Sequence, residues 1–185
     1  MSKYARQPLD LSGLQTIPIE ARGGKVRAAD FAQPYHGGGV TAWFNSLPHI
    51  LAADSLRAVI EALANARARK KMVLWGLGGH VIKCGLAPIL IDLMRRGYAT
   101  AFALNGAAAI HDFEIAIAGQ TSEDVEAVLP DGRFGTAEET GREMNLALQA
   151  DTGFGESLGR HLEGIADPSY RSASLLAEAY RASTP

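Results

Sequence analysis

Two stretches decide the fold. Residues 72–80 read Met72-Val73-Leu74-Trp75-Gly76-Leu77-Gly78-Gly79-His80, and residues 99–108 read Ala99-Thr100-Ala101-Phe102-Ala103-Leu104-Asn105-Gly106-Ala107-Ala108. Each is a short apolar run that ends in small, turn-forming residues. Runs of this kind, bounded by glycine and asparagine, predict buried strands, here over 72–75 and 99–104. Between them Val81, Ile82, Leu86, Ile89, Leu90, Leu93 and Met94 recur at helical spacing. Pro88 is suited to the first turn of a helix, which predicts a separate turn or kinked start over 80–86. Arg95-Arg96-Gly97 is a helix stop. A second helix is expected over 109–118, with Ile110, Phe113 and Ile117 on one face. Strand, turn, helix, strand, turn, helix is a βαβα unit. Connections of that length give parallel strands, and near-continuous apolar strands imply helices on both faces of the sheet. The fold class is therefore α/β, Rossmann-like, with a parallel sheet and flanking helices.

Working outward, residues 1–40 read as an irregular N-terminal arm. Leu14-Gln15-Thr16-Ile17-Pro18-Ile19 is its one candidate extended piece, and Pro18 would confine it to a sheet edge. Gly37-Gly38-Gly39 reads as a hinge. Residues 46–69 carry a helical period, with Asp54-Ser55 as the expected break between two helices. Downstream, Thr121-Ser122-Glu123-Asp124 resembles a capping box ahead of 125–129. Thr136 is the expected cap of a helix over 137–150, and further helices are expected over 153–165 and 172–182. The domain expected is 41–185. Two strands are few for an independent parallel sheet, and the last helix stops where a further strand is due. The domain is thus expected to be incomplete at its C-terminal end, with a sheet partner supplied by N-terminal strands, a second subunit or further residues.

Charge and cysteine content narrow the classes of function. Eighteen Lys and Arg against 20 Asp and Glu give a net charge of −2, so no strong basic field draws nucleic acid or an anionic membrane surface. The single cysteine, Cys84, excludes an intramolecular disulfide and a multi-cysteine zinc site. It reads as a small core residue, and one free thiol suits a reducing cytoplasm. The N-terminal sequence has no apolar signal-peptide core, and no run of about 18 apolar residues predicts a membrane span. The reading is a cytoplasmic protein with no membrane or nucleic-acid partner.

In open α/β sheets ligands bind beyond the carboxyl ends of the strands. Here those ends are the turns Gly76 to His80 and Asn105 to Ala108. Small residues let the backbone approach a ligand, and each turn leads to a helix N-terminus with free N–H donors. Gly78, Gly79, His80, Asn105, Gly106 and Ala107 are the candidate holders of a nucleotide phosphate. Lys83 adds a cation near the first turn. His111, Asp112 and Glu114 lie in the early turns of the second helix, and His111 and Glu114 share a face. A histidine with two carboxylates suits general acid–base chemistry. The same groups with His80 form a weaker candidate for a metal site, so no metal ligands are assigned.

Residues 73–129 resemble the deoxyhypusine synthase family and its bacterial relatives. The resemblance rests on Val-Leu-Trp-Gly-Leu-Gly-Gly-His-Val-Ile-Lys-Cys-Gly, starting at Val73, and on Phe-Ala-Leu-Asn-Gly-Ala-Ala-Ala-Ile-His-Asp-Phe-Glu, starting at Phe102. The stretches from His80 to Pro88 and from Ala109 to Ala116 look closer still to the bacterial deoxyhypusine-synthase-like proteins. The resemblance implies a Rossmann-like fold, NAD bound at the two turns, and a homo-oligomer. In the family an aminobutyl group passes from spermidine to a protein lysine. Three departures are visible. The family carboxylate that faces NAD and polyamine falls on His111, and the serine and asparagine of the first turn fall on Gly79 and His80. The family's C-terminal segment with its intermediate-carrying lysine has no counterpart here.

The function expected is that of an NAD-binding deoxyhypusine-synthase-like protein, acting as an NAD-dependent transferase or oxidoreductase on an amine or another small substrate. A non-catalytic or partial oligomeric binding scaffold without the lysine segment is the alternative. A metal-dependent hydrolase ranks third.

Overall fold

The computed structural model describes residues 9–148 and 151–185. The chain divides into two compact units, with the boundary between Val59 and Ile60. The described part of the first unit holds α1 (Ile19–Arg22), α2 (Gly39–Ser46) and the start of α3 (Leu51–Ala68). The Leu14 to Ile19 piece forms no strand, and Ile19 instead opens the short turn of α1. Gly37, Gly38 and Gly39 take φ of 98°, 102° and 81°, a left-handed run that lets the chain swing into α2. The expected break in the 46–69 helix falls at Leu47–Ile50, not at Asp54-Ser55, because Pro48 cannot continue α2. Arg57 covers that end by donating to the carbonyls of Phe44, Leu47 and Pro48 at 3.0, 2.8 and 2.6 Å. None of the described residues from 9 to 59 is buried.

The second unit is mixed α/β. It contains β1 (Leu74–Leu77), α4 (Gly79–Lys83), α5 (Ala87–Arg95), β2 (Ala101–Leu104) and α6 (Gly106–Ala118). The two strands are parallel, with Leu74 opposite Ala101 and Leu77 opposite Leu104. Among the described residues the sheet has these two strands. On the far edge of β2, the Phe102 N–H donates to the Pro185 carbonyl at 2.8 Å. β1 sits two residues later than expected, since Gly76 and Leu77 belong to the strand and not to the turn. Gly85, at φ 76°, separates α4 from α5, and Pro88 lies in the first turn of α5, as the sequence implied.

Beyond α6 come α7 (Val125–Val128), α8 (Glu138–Ala147), α9 (Phe154–Ile165) and α10 (Leu175–Arg181). Two expected caps are corrected. Asp124, not Thr121, caps α7 through the Ala127 N–H. Thr136 donates to the Arg133 carbonyl and caps nothing, and Ala137 stands at the N-cap of α8. The expected end of that helix at residue 150 lies outside the described residues.

Helix α6 lies between two apolar clusters. Its Ala108 joins Leu77, Ile82, Leu90, Ile91, Met94 and Leu175. Its Ala109, Phe113 and Ala116 join Leu158, Leu162, Leu176 and Ala177. Fully burying one such Leu, Ile or Phe contributes about 2 kcal/mol. Helices α9 and α10 meet at Gly159, where a Cβ would come within 2.4 Å of Tyr180 Cβ, so only glycine permits this approach. No helix is long and apolar enough to cross a membrane among the described residues.

Candidate functional site

The two βα turns lie side by side at the carboxyl ends of β1 and β2. Gly79 opens α4 against the first turn of α6: a Cβ there would stand 3.1 Å from Ala107 Cβ and 3.2 Å from His111 Cδ2. Glycine at position 79 thus makes a close fit, and a side chain there would press Ala107 and the His111 ring back by a few tenths of an ångström. Gly78 and Gly106 differ. A Cβ on Gly106 would meet nothing within 4 Å, and one on Gly78 only Asn105 Nδ2 at 3.8 Å. Asn105 is the N-cap of α6, its side-chain oxygen accepting from the Ala108 N–H at 2.9 Å. Among the described residues no acceptor reaches the N–H of Gly106 or Ala107. Open glycine faces beside two free donors fit a nucleotide phosphate, so Gly78, Gly106 and Ala107 are the residues that could hold one. His80 and Lys83 are exposed beside the first turn. Cys84 is exposed as the C-cap of α4, not a core residue, because α4 ends as the chain turns outward at Gly85.

The three candidates on α6 separate. His111 and Glu114 turn to one side, each with 19% of its side chain exposed. They border a hollow of about 540 Å³ that is also lined by Lys83, Phe134, Thr140 and Phe154. His111 Nδ1 lies 2.7 Å from the Thr121 hydroxyl, which in turn donates to Glu114 Oε2. The Thr140 hydroxyl donates to the other oxygen of Glu114 at 3.2 Å. Thr121 reaches this position because Gly119 ends α6 in the left-handed region at φ 70°, and Ser122, at φ 68°, turns the chain again.

Asp112 points the other way and is fully buried. One oxygen accepts from the Leu175 N–H at 2.7 Å. The other accepts from the Ser174 hydroxyl at 2.6 Å and the Leu176 N–H at 2.8 Å. The two amides are otherwise orphaned donors at the start of α10. Burial pushes the Asp112 carboxyl above the ordinary carboxylate range, against the lowering pull of the three donors. The arrangement makes Asp112 a tie between helices and leaves His111 and Glu114 at the hollow. No trio of His, Cys, Asp or Glu side chains is grouped to hold a metal ion among the described residues.

Thr121 and Thr140 are the site residues that sequence reading missed. Thr121 carried a signal, but it was the signal of a helix cap. No protein-family model and no curated protein matches the chain.

Proposed function

We propose that this chain binds NAD or a related nucleotide across the carboxyl ends of β1 and β2, in the manner of the deoxyhypusine-synthase-like group it resembles. The observation that carries the reading is the pairing of the two turns. Gly78 and Gly106 offer open backbone, and the His111 ring, seated on Gly79, lies next to them. Parallel strands joined through helices make the Rossmann-like reading the natural one. Bound NAD would supply hydride chemistry. The chain itself would hold the phosphates on the N–H groups of Gly106 and Ala107, with His80 and Lys83 adding positive charge. His111 and Glu114 would orient the substrate and move its proton, and Glu114 would favour an amine. On this reading the protein is a cytoplasmic transferase or oxidoreductase of a small substrate. Calorimetry and thermal shift with NAD test it: binding with a raised midpoint is expected, and no heat and no shift at millimolar NAD would sink it.

A second reading has its own observation. Leu11, Leu14, Ile17, Ile19, Phe31 and Trp43 all lie exposed on a unit in which no described residue is buried. A stable interface needs roughly 800 Å² from each partner, and such side chains can supply it. In this reading the chain is a homo-oligomeric binding scaffold. Light scattering decides it, since a monomer at micromolar concentration would end the idea.

A further inference from the structure

The order of protons along Glu114, Thr121 and His111 follows from counting hydrogens. A threonine hydroxyl carries one proton and two lone pairs, and an ionised carboxylate only accepts. Thr121 gives its proton to Glu114, so only a lone pair remains to face His111. His111 Nδ1, 2.7 Å away, must then carry a hydrogen. In a neutral ring Nε2 is left bare, with the only basic lone pair. The carboxylate does not do this directly: Glu114 Oε2 and His111 Nδ1 are 3.9 Å apart, beyond hydrogen-bond reach. Thr140 fixes Glu114 from α8, so the carboxylate is held at both oxygens. Among the described residues no protein group bonds Nε2. Its neighbour Cδ2 faces Gly79, so the bare nitrogen belongs to the ring edge nearest the first βα turn.

We infer that Thr121 is a positioning residue that links Glu114 to His111, holds the imidazole as its Nδ1–H tautomer and leaves Nε2 as the proton acceptor. The use of Nε2 as a base rests on the proposed function; the tautomer does not. An unconstrained neutral histidine side chain prefers the Nε2–H tautomer, so the arrangement has a spectroscopic signature.

The test is nitrogen-15 NMR of the histidine rings in the full chain without ligand, at a pH where the ring is neutral. The wild type should show His111 as the Nδ1–H form. Thr121→Ser, which keeps the hydroxyl, should retain it. Thr121→Val should return the ring toward the Nε2–H form. Thr140→Val, which removes only the second donor to Glu114, should leave the tautomer unchanged. A wild-type ring in the Nε2–H form overturns the inference, and so does a Thr121→Val protein indistinguishable from wild type. The wild-type spectrum decides even if the valine variant does not fold. NAD titration of the same samples is a separate arm: an Nδ1–H ring without NAD binding upholds the tautomer and sinks the nucleotide reading.

Discussion

Ser174 donates its hydroxyl proton to Asp112 at 2.6 Å, tying the start of α10 to α6 across 62 residues of sequence. The same carboxylate accepts from the Leu175 and Leu176 N–H groups, so one side chain satisfies three donors in a buried site. Ser174 in turn accepts from the Ala177 N–H, as an N-cap does. Removing the carboxylate strands two backbone donors. Asp112→Ala should therefore lower stability by about 3 kcal/mol or more. Asp112→Asn, which keeps one acceptor oxygen, should fall between. Urea unfolding midpoints check both. An alanine variant as stable as wild type would mean that α10 is held by its apolar face alone.

The contact of Gly159 with Tyr180 allows no side chain at position 159. Gly159→Ala should lower stability by about 2–3 kcal/mol, as overpacking does. Gly164 lies on the same helix, and a Cβ there meets nothing within 4 Å. Gly164→Ala should raise stability by up to about 1 kcal/mol through helix propensity. Thermal unfolding of the two variants gives opposite signs if the helices meet as described.

The glycines of the two turns should part in the same way, with a different readout. Gly79→Ala presses on Ala107 and on the His111 ring, so it should cost about 1–2 kcal/mol and shift the His111 ring signals. Gly106→Ala occupies the first position of α6 with open space around it. It should leave the fold unchanged and weaken NAD binding tenfold or more. Unchanged affinity in the Gly106 variant would remove that turn from the nucleotide reading.

Arg181 holds the Glu163 carboxyl below its usual range through hydrogen bonds of 2.6 and 3.2 Å, with Arg171 adding a weaker attraction. The unfolded chain then takes up the proton first as pH falls. The contribution is present above the ordinary glutamate value of about 4.3 and is lost as pH drops through the lower folded value. Both side chains are partly exposed, so the effect is small and salt-sensitive. The stability difference between wild type and Glu163→Gln should be flat from neutral pH down to about 5, shrink below about 4, and shrink again in high salt. A difference that grows on acidification would contradict the pairing.

The βαβα order was legible from apolar runs and turn residues, because neighbouring residues carry both signals. The edges were not. Gly76 and Leu77 read as turn but lie in β1, where pairing with Ala103 and Leu104 decides. Asn105 to Ala108 read as a turn ahead of a helix at 109, but α6 begins at Gly106, because the Asn105 side chain caps it there. Asp112 favours a different face of the helix from His111, yet near a helix start it read as able to line the same cleft. Its partners come from positions 174 to 176, and nothing local announces them. Thr121 failed in the same way: a threonine before acidic residues suits a helix cap, and only the turn after Gly119 carries it to His111 and Glu114. Helical spacing set the shared face of His111 and Glu114 correctly.

The bonds from Leu175 and Leu176 to Asp112 also bear on the order in which the unit assembles. First-turn amides of a helix normally exchange with solvent freely, since no preceding carbonyl holds them. These two open only when α10 leaves α6. The strands and helices from 74 to 118 contact near neighbours in sequence, whereas α10 must close a long loop to reach Asp112, a step that comes at greater entropic cost. Hydrogen exchange at residues 175 and 176 should accordingly report the free energy of detaching α10 from α6, while the amides that begin α8 exchange at the rate of a fraying end.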